Sequence, residues 1–308
     1  MKKNILSILL VLCLGLSVSL GEISYAADDS CDSCQAITSP DMKTYDKSPG
    51  YDDTYFTYYN DITGYKSNGL WGFYSKNNRD INIPPMYDDI EALDSNYIKV
   101  KRGGKWGIIS TNGYQLINTF YDNIEIFGGY MSGKFRVRLN GKYGIIDENN
   151  NAIVPPLYQS IYRINDEYIK VEKDSKYGII SMYNGKITVS ISYDDVNYLN
   201  PYFKIKFGGK WGLIDKLQNS IVPAKYDDIK ILNNNYFIVK NYNVWGTVDK
   251  NTGEEVISPK YDKIEVGKAN YLKVKHGGKW GAVTNNGEIV IPINKGPFEI
   301  NRELKKIY

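Results

Sequence analysis

Gly103-Gly104-Lys105-Trp106-Gly107-Ile108-Ile109-Ser110 is one of seven versions of a single phrase in this 308-residue chain. Its aromatic-glycine step recurs at Trp71-Gly72, Trp106-Gly107, Tyr143-Gly144, Tyr177-Gly178, Trp211-Gly212, Trp245-Gly246 and Trp280-Gly281. Successive steps are 35, 37, 34, 34, 34 and 35 residues apart. A second phrase falls between them: Tyr87-Asp88-Asp89-Ile90, Tyr121-Asp122-Asn123-Ile124, Tyr193-Asp194-Asp195-Val196, Tyr226-Asp227-Asp228-Ile229 and Tyr261-Asp262-Lys263-Ile264. A fixed period of this size is the signature of a repeat architecture.

The second repeat serves as a template for four short strands: Tyr87 to Leu93, Tyr97 to Arg102, Trp106 to Ser110 and Gln115 to Asn118. Gly103-Gly104 supplies a tight hairpin, because glycine takes positive φ without a steric cost. The third strand is apolar on both faces, as a strand sandwiched between layers would be. Its internal glycine implies the close approach of another group, expected to be an aromatic ring from an adjacent unit. Pro84-Pro85, Pro155-Pro156, Pro223, Pro259 and Pro292 predict that the fourth strand ends there or lies at a sheet edge, since proline has no ladder donor. No mature stretch shows a helix-length period, and the fold class is all-β.

The phrases Tyr-Asp-x-Ile, Gly-Gly-Lys-Trp-Gly and Ile-Val-Pro make residues 51–297 similar to the WG (or KWG) repeat family of bacterial proteins. Tyr143 and Tyr177 depart from the pattern by replacing Trp, and Gln159 replaces the aspartate. The resemblance implies an all-β repeat array and little about activity. Seven four-stranded units favour a propeller-like closed ring, because closure removes exposed sheet edges. An open β-solenoid of stacked hairpins is the alternative. Phe298-Glu299-Ile300 resembles the start of another unit, so residues 298–308 are expected to form a closing or capping strand.

The first 26 residues read as a secretory signal: Lys2 and Lys3, an apolar run from Ile5 to Val18, then Ser24-Tyr25-Ala26. The apolar run is short for a membrane span, and no other stretch has that character. Cys13 follows the bulky Leu12, which argues against a lipoprotein. Residues 27–50 form a polar leader with little to bury, so disorder is expected there. The formal net charge of +3 gives no electrostatic case for nucleic acid. Cys31 and Cys34 form a CxxC without further ligands for zinc, so a local disulfide or idle thiols are expected, and the repeats depend on packing alone.

No catalytic constellation stands out. The Asp pairs at 52–53, 88–89, 194–195 and 227–228 invite calcium, but the first Asp of each pair suits a turn-fixing role. His276, the only histidine, varies a hairpin column that holds Arg102 and Phe207 elsewhere. Glu91, Glu125 and Glu265 recur after the same Ile, as solvated strand positions would. With neither metal nor cofactor implied, the 28 tyrosines are the remaining signal. The aromatic-glycine residues repeat in register and are expected in the core. Tyr58, Tyr59, Tyr65, Tyr130 and Tyr183 break register and are candidate ligand-binding residues. Together these features point to a secreted or surface-associated, non-enzymatic scaffold whose partner is an extracellular protein or cell-wall glycan. A carbohydrate-binding protein, and more remotely a glycoside hydrolase with acids in the repeat loops, are the alternatives. Export with cleavage near Ala26 predicts an intact mass lacking residues 1–26; a secreted chain still carrying them would refute it.

Overall fold

The computed structural model describes residues 51–57, 62–78, 80–128, 133–267 and 271–306. The signal sequence, the leader and the Cys31/Cys34 pair lie outside them. Seven four-stranded antiparallel sheets follow one another, each built from four consecutive strands. They run Tyr51–Tyr87, Asp89–Tyr121, Asn123–Tyr158, Ser160–Tyr193, Asp195–Tyr226, Asp228–Tyr261 and Lys263–Lys295. The chain divides into two compact units. The first holds sheets one and two and most of sheet three. The second holds the tip of the third sheet's hairpin, sheets four to seven and a C-terminal helix.

The aromatic-glycine step controls the register of each sheet. In the fifth sheet Trp211 pairs with Tyr226 and Leu213 with Val222, so Pro223, Ala224 and Lys225 all stand opposite Gly212. The fourth strand arches over the glycine as an enlarged bulge. A Cβ at Gly212 would lie 2.7 Å from both Ala224 N and Val222 O. Gly178 and Gly281 meet the same obstruction from Ile191 and Ile293, and Gly72, Gly107 and Gly246 from the backbone of their own fourth strands. The close approach expected from an aromatic ring of a neighbouring unit is therefore made by main chain of the same sheet. The arch also explains the prolines. They do not end the strand, but that strand is the edge of its sheet, as the alternative expected; Pro223 and Pro259 lie within the arch, where the ladder needs no donor.

After the arch the strand returns to register so that its final Tyr faces the aromatic of the third strand: Trp71 with Tyr87, Trp106 with Tyr121, Trp245 with Tyr261. The phrase Tyr-Asp-Asp is thus a joint between sheets. Its Tyr ends one sheet, its first Asp makes the bend and its second Asp opens the next sheet. This shifts the expected start of the first strand from Tyr87 to Asp89 and extends the fourth from Asn118 to Tyr121.

Apolar side chains interlock between successive sheets. Phe73, Ile83 and Tyr87 of the first sheet pack with Ile90, Ile98, Val100 and Ile109 of the second. Leu213, Val222 and Tyr226 of the fifth pack with Ile229, Phe237, Val239 and Val248 of the sixth. In the third strand of the second sheet Gly107, Ile108 and Ile109 are all buried, so that strand is covered on both faces.

The tail is not a strand. Pro297–Leu304 is an α-helix with Pro at its first turn. Glu299 accepts the Gly296 N–H at 3.2 Å and pairs with Lys295 at 3.3 Å. Proline pre-sets helical φ, and an acid at the third position caps the start. Ile300, the residue that mimicked the repeat phrase, is buried against Trp280, Ala282 and Ile291 of the seventh sheet. The strand exchange expected of ring closure is not found among the described residues: the tail joins no sheet, and the first sheet is completed by its own four strands. Gly212→Val should lower stability by at least about 1–3 kcal/mol, because the added branch meets main chain that cannot rotate away. A thermal melt overlaying that of the wild type would refute the close approach.

Candidate functional site

Two ladders of charge run along the repeats. In the first, the Lys of the Lys-aromatic-Gly phrase reaches the first Asp of the following joint: Lys105 to Asp122 at 2.5 Å, Lys176 to Asp194 at 2.7 Å and Lys210 to Asp227 at 2.5 Å. The joint Asp also accepts from the hairpin of its own sheet. Asp194 takes the Gly209 N–H at 3.2 Å and Asp227 the Tyr242 N–H at 2.8 Å. Gln159 keeps this contact by accepting the Asp174 N–H at 3.2 Å. Asp88, Asp194 and Asp227, the first Asp of their pairs, thus fix turns. Among the described residues no group of three or more His, Cys, Asp or Glu side chains is placed to hold a metal ion.

The second ladder lies on the aromatic faces. Second-strand cations cover the aromatic-glycine rings: Lys99 lies 4.1 Å from the centre of Trp106, Lys170 4.6 Å from Tyr177, Lys204 4.5 Å from Trp211 and Lys273 4.2 Å from Trp280. Desolvated contacts of this kind contribute up to ~2 kcal/mol each. Each cation also meets an oxygen acceptor. Lys99, only 6% exposed, bonds Asn123 Oδ1 at 2.9 Å and Glu91 at 3.2 Å. Lys170 pairs with Asp195 and Lys204 with Asp228, the opening residues of the next sheets. Of the core-expected aromatics, Trp280 is buried; Trp71, Trp106, Tyr143, Tyr177, Trp211 and Trp245 are half-buried.

This ladder revises the reading of the recurrent acids. Glu91, Glu125 and Glu265 are partners of Lys99, Arg136 and Lys273 rather than merely solvated strand positions. Hydrogen bonding from Lys263, helped by the charge of Lys273, holds the Glu265 carboxyl below its ordinary value despite some burial. Such an acid is ionised at neutral pH and is poorly suited to protonate a leaving group. His276 is exposed, with Nδ1 3.0 Å from the Lys260 carbonyl oxygen, a hydrogen-bond acceptor, and its ring edge-on to Tyr261. Tyr97 donates to Glu148 at 2.8 Å, and burial together with this bond raises its hydroxyl to about 12.

The candidate tyrosines separate. Tyr58, Tyr59 and Tyr130 lie outside the described residues. Tyr65 is 8% exposed, tilted against Tyr74, with its hydroxyl donating to the Ile83 carbonyl at 3.3 Å. It pairs with Gly72 where Val100 and Val171 pair with Gly107 and Gly178. It is therefore a core residue and not a surface candidate. Tyr183 is 92% exposed in the turn between the third and fourth strands of its sheet, and Leu217 is exposed in the corresponding turn of the next sheet.

A second exposed pair was not apparent from the repeat phrases: Phe207 and Tyr242, at the hairpins of the fifth and sixth sheets. Both loop residues of these hairpins have positive φ, as type I′ turns require. The first position is held by Asn68, Gly103, Asn140, Asp174, Gly208, Tyr242 and Gly277. Tyr242, at φ 47°, is the one bulky residue among them and is 86% exposed. The left-handed region costs an ordinary L residue about 1–2 kcal/mol. Phe207 is 61% exposed and pairs across its hairpin with Lys210. Lys210 Nζ lies 5.5 Å from the centre of the Tyr242 ring and 3.4 Å from Asn241 Oδ1. Aligning the hairpins by their loop positions, rather than by the aromatic-glycine step, would have revealed Tyr242.

The geometry defines an array of four-stranded β-meanders joined by Tyr-Asp bends. The "WG containing repeat" family matches residues 71–106, 143–177, 211–245 and 245–280. The chain is a WG repeat protein. Each match runs from one third-strand aromatic to the next, so the sequence repeat is offset from the sheet by half a unit. No curated protein matches the chain. Among solved structures, apo AztD from Citrobacter koseri is 10% identical with a TM-score of 0.31, covering 80% of this chain and 87% of that one. The Neurospora crassa Pan2 WD40 domain is 10% identical with a TM-score of 0.26, covering 80% and 92%. An extracellular domain from B. thetaiotaomicron is 12% identical with a TM-score of 0.27, covering 79% and 41%. At scores this low, none superposes on the protein as a whole.

The joint aspartates predict an acid-sensitive fold. The Lys176 hydrogen bond and the Gly209 N–H lower the Asp194 carboxyl; Lys210 and the Tyr242 N–H do the same at Asp227. The unfolded chain then binds more protons than the folded one in this range. These groups contribute stability above the ordinary carboxylate value of about 4, and it is lost as pH falls through their depressed folded values. Urea unfolding across this range should show a shallower acid loss in the Asp194→Asn, Asp227→Asn double variant than in the wild type. Equal slopes would refute the contribution of the joint.

Proposed function

We propose that this WG repeat protein is a secreted binding scaffold that holds an extracellular ligand without turning it over. The observation that carries this reading is that four large exposed apolar side chains of the second unit stand at loops, while others such as Tyr162, Val266 and Ile289 lie on strands. Tyr183, Leu217, Phe207 and Tyr242 stand in turns or beside hairpins, away from the buried sheet faces. Loops on a rigid scaffold are where recognition residues concentrate, because the sheets fix their ends while the tips vary. A repeat array offers several such tips at regular spacing, which suits an extended or multivalent ligand.

The charged groups support the same reading. Catalysis by acid and base needs an asymmetric pair whose protonation is matched to the reaction. Here Asp194, Asp227 and Glu265 are held in the ionised form by lysine partners, and the same arrangement returns from sheet to sheet. Export follows from the charged, apolar and small-residue order of residues 1–26.

Purified mature protein incubated with cell-wall polysaccharides, chromogenic glycosides and peptides should release no product. Turnover abolished by a single carboxylate substitution would overturn the non-enzymatic reading.

A further inference from the structure

We propose that the hairpin ends of the fifth and sixth sheets form a stacking platform for a neutral, β-linked pyranose chain. The proposal rests on the scaffold reading above and supplies its ligand class.

Tyr242 carries the argument. Its backbone position requires positive φ, which glycine, asparagine and aspartate meet in the other six hairpins. A tyrosine is strained there, and its 86% exposure means that burial of the ring does not offset the strain within its own unit. Strain held at an exposed aromatic points to a role outside the fold. The hairpin is nevertheless fixed, since the Tyr242 N–H is bound by Asp227. The ring is thus presented from a rigid main chain rather than from a loose loop.

Phe207 places a second ring on the neighbouring hairpin, in the column that holds Arg102, Lys173 and His276 in other repeats. Lys210 connects the two. It pairs with Phe207 across one hairpin and lies over Tyr242 of the next. Its charge is already met by Asp227 at 2.5 Å. The surroundings of the rings are therefore flat apolar faces, the amides of Asn241 and Asn243, and a neutralised ion pair.

That chemistry selects among ligands. Lys210, the cation over the Tyr242 ring, is already met by Asp227, and the charge of Lys240 is directed at the same aspartate, so the rings themselves offer a polyanion little unpaired charge. A protein interface favours a contiguous apolar core, whereas here the Tyr242 ring has the Lys210 ammonium over it and that ammonium reaches Asn241 Oδ1. A β-linked pyranose with equatorial hydroxyls has C–H faces that lie on aromatic rings and a rim of hydroxyls for amide partners. Rings that combine an apolar body with polar neighbours serve this mixed surface.

The test uses the full mature protein with two probes, cellohexaose and hexa-N-acetylchitohexaose, in isothermal titration calorimetry. Tyr242→Asn places at this position the residue found at Asn68 and Asn140, and Phe207→Lys copies Lys173. Saturable binding of at least one probe is expected, weakened about tenfold or more by each substitution. Tyr242→Asn should melt no lower than the wild type, since it relieves a strained φ. No binding of either probe, or equal affinity in wild type and both variants, would overturn the platform. A Tyr242-dependent dimer in sedimentation velocity without sugar binding would also overturn it, assigning the rings to a second copy of the chain. Sugar hydrolysis together with ring-dependent binding would retain the platform while removing the non-enzymatic reading.

Discussion

The structure depends on the close approach of a fourth-strand arch to a third-strand glycine. Three residues must pass opposite one, and the space above that one residue is filled by carbonyl and amide groups. Any Cβ would push the arch outward and break the pairing of Trp211 with Tyr226 beyond it. That pairing sets the end of one sheet and so the start of the next. A glycine therefore recurs beside each aromatic as a requirement of register, not of turn flexibility: the arch glycines are absent from the positive-φ positions.

Once the arch fixes the joint, electrostatics links neighbouring sheets through residues of the same two phrases. Lys210 precedes the Trp-Gly step, and Asp227 follows the Tyr that faces the Trp, so the register that pairs the rings also brings the charges together. Individual exposed ion pairs contribute little, typically ~0–1 kcal/mol. Their value here lies in geometry. One aspartate holds a lysine from the preceding sheet and an N–H from its own hairpin, which couples the bend to the loop. The buried Lys99 is different: its ammonium lies over a ring and meets two oxygen acceptors, without which a cation so removed from water would be strongly unfavourable.

The period, the four strands and the double-sided third strand were legible in the sequence because alternation and turn residues express them locally. Sheet boundaries were less so. Tyr87-Asp88-Asp89 reads as one continuous strand start, but pairing across the arch assigns the Tyr to the sheet before. Phe298-Glu299-Ile300 resembles the repeat phrase in sequence, yet it lies in a helix whose Ile300 is buried against the seventh sheet. Pro297 and the Glu299 cap decided for helix. Tyr65 was mistaken for a surface ring because its neighbours lack the usual phrase; pairing with Gly72 places it in the column of Val100 and Val171.

In a repeat protein each unit serves as a reference for the others. A residue shared by a column reports what folding requires there, and a residue that departs from it must be explained by its own surroundings. Gln159 is a departure that preserves the hairpin bond and so remains within the folding argument. Tyr242 is of the other kind. Its column needs positive φ, and glycine, asparagine or aspartate meets that need at lower cost, while the tyrosine ring gains little burial in return. The turn would close more comfortably without it. The same comparison applied to the aromatic-glycine rings gives the opposite result, because each is at least half-buried within the sheets, whereas Tyr242 has Lys210 near its face but remains 86% exposed. The folding requirements thus account for the recurrent aromatics and leave Tyr242 to be explained by what it presents to solvent.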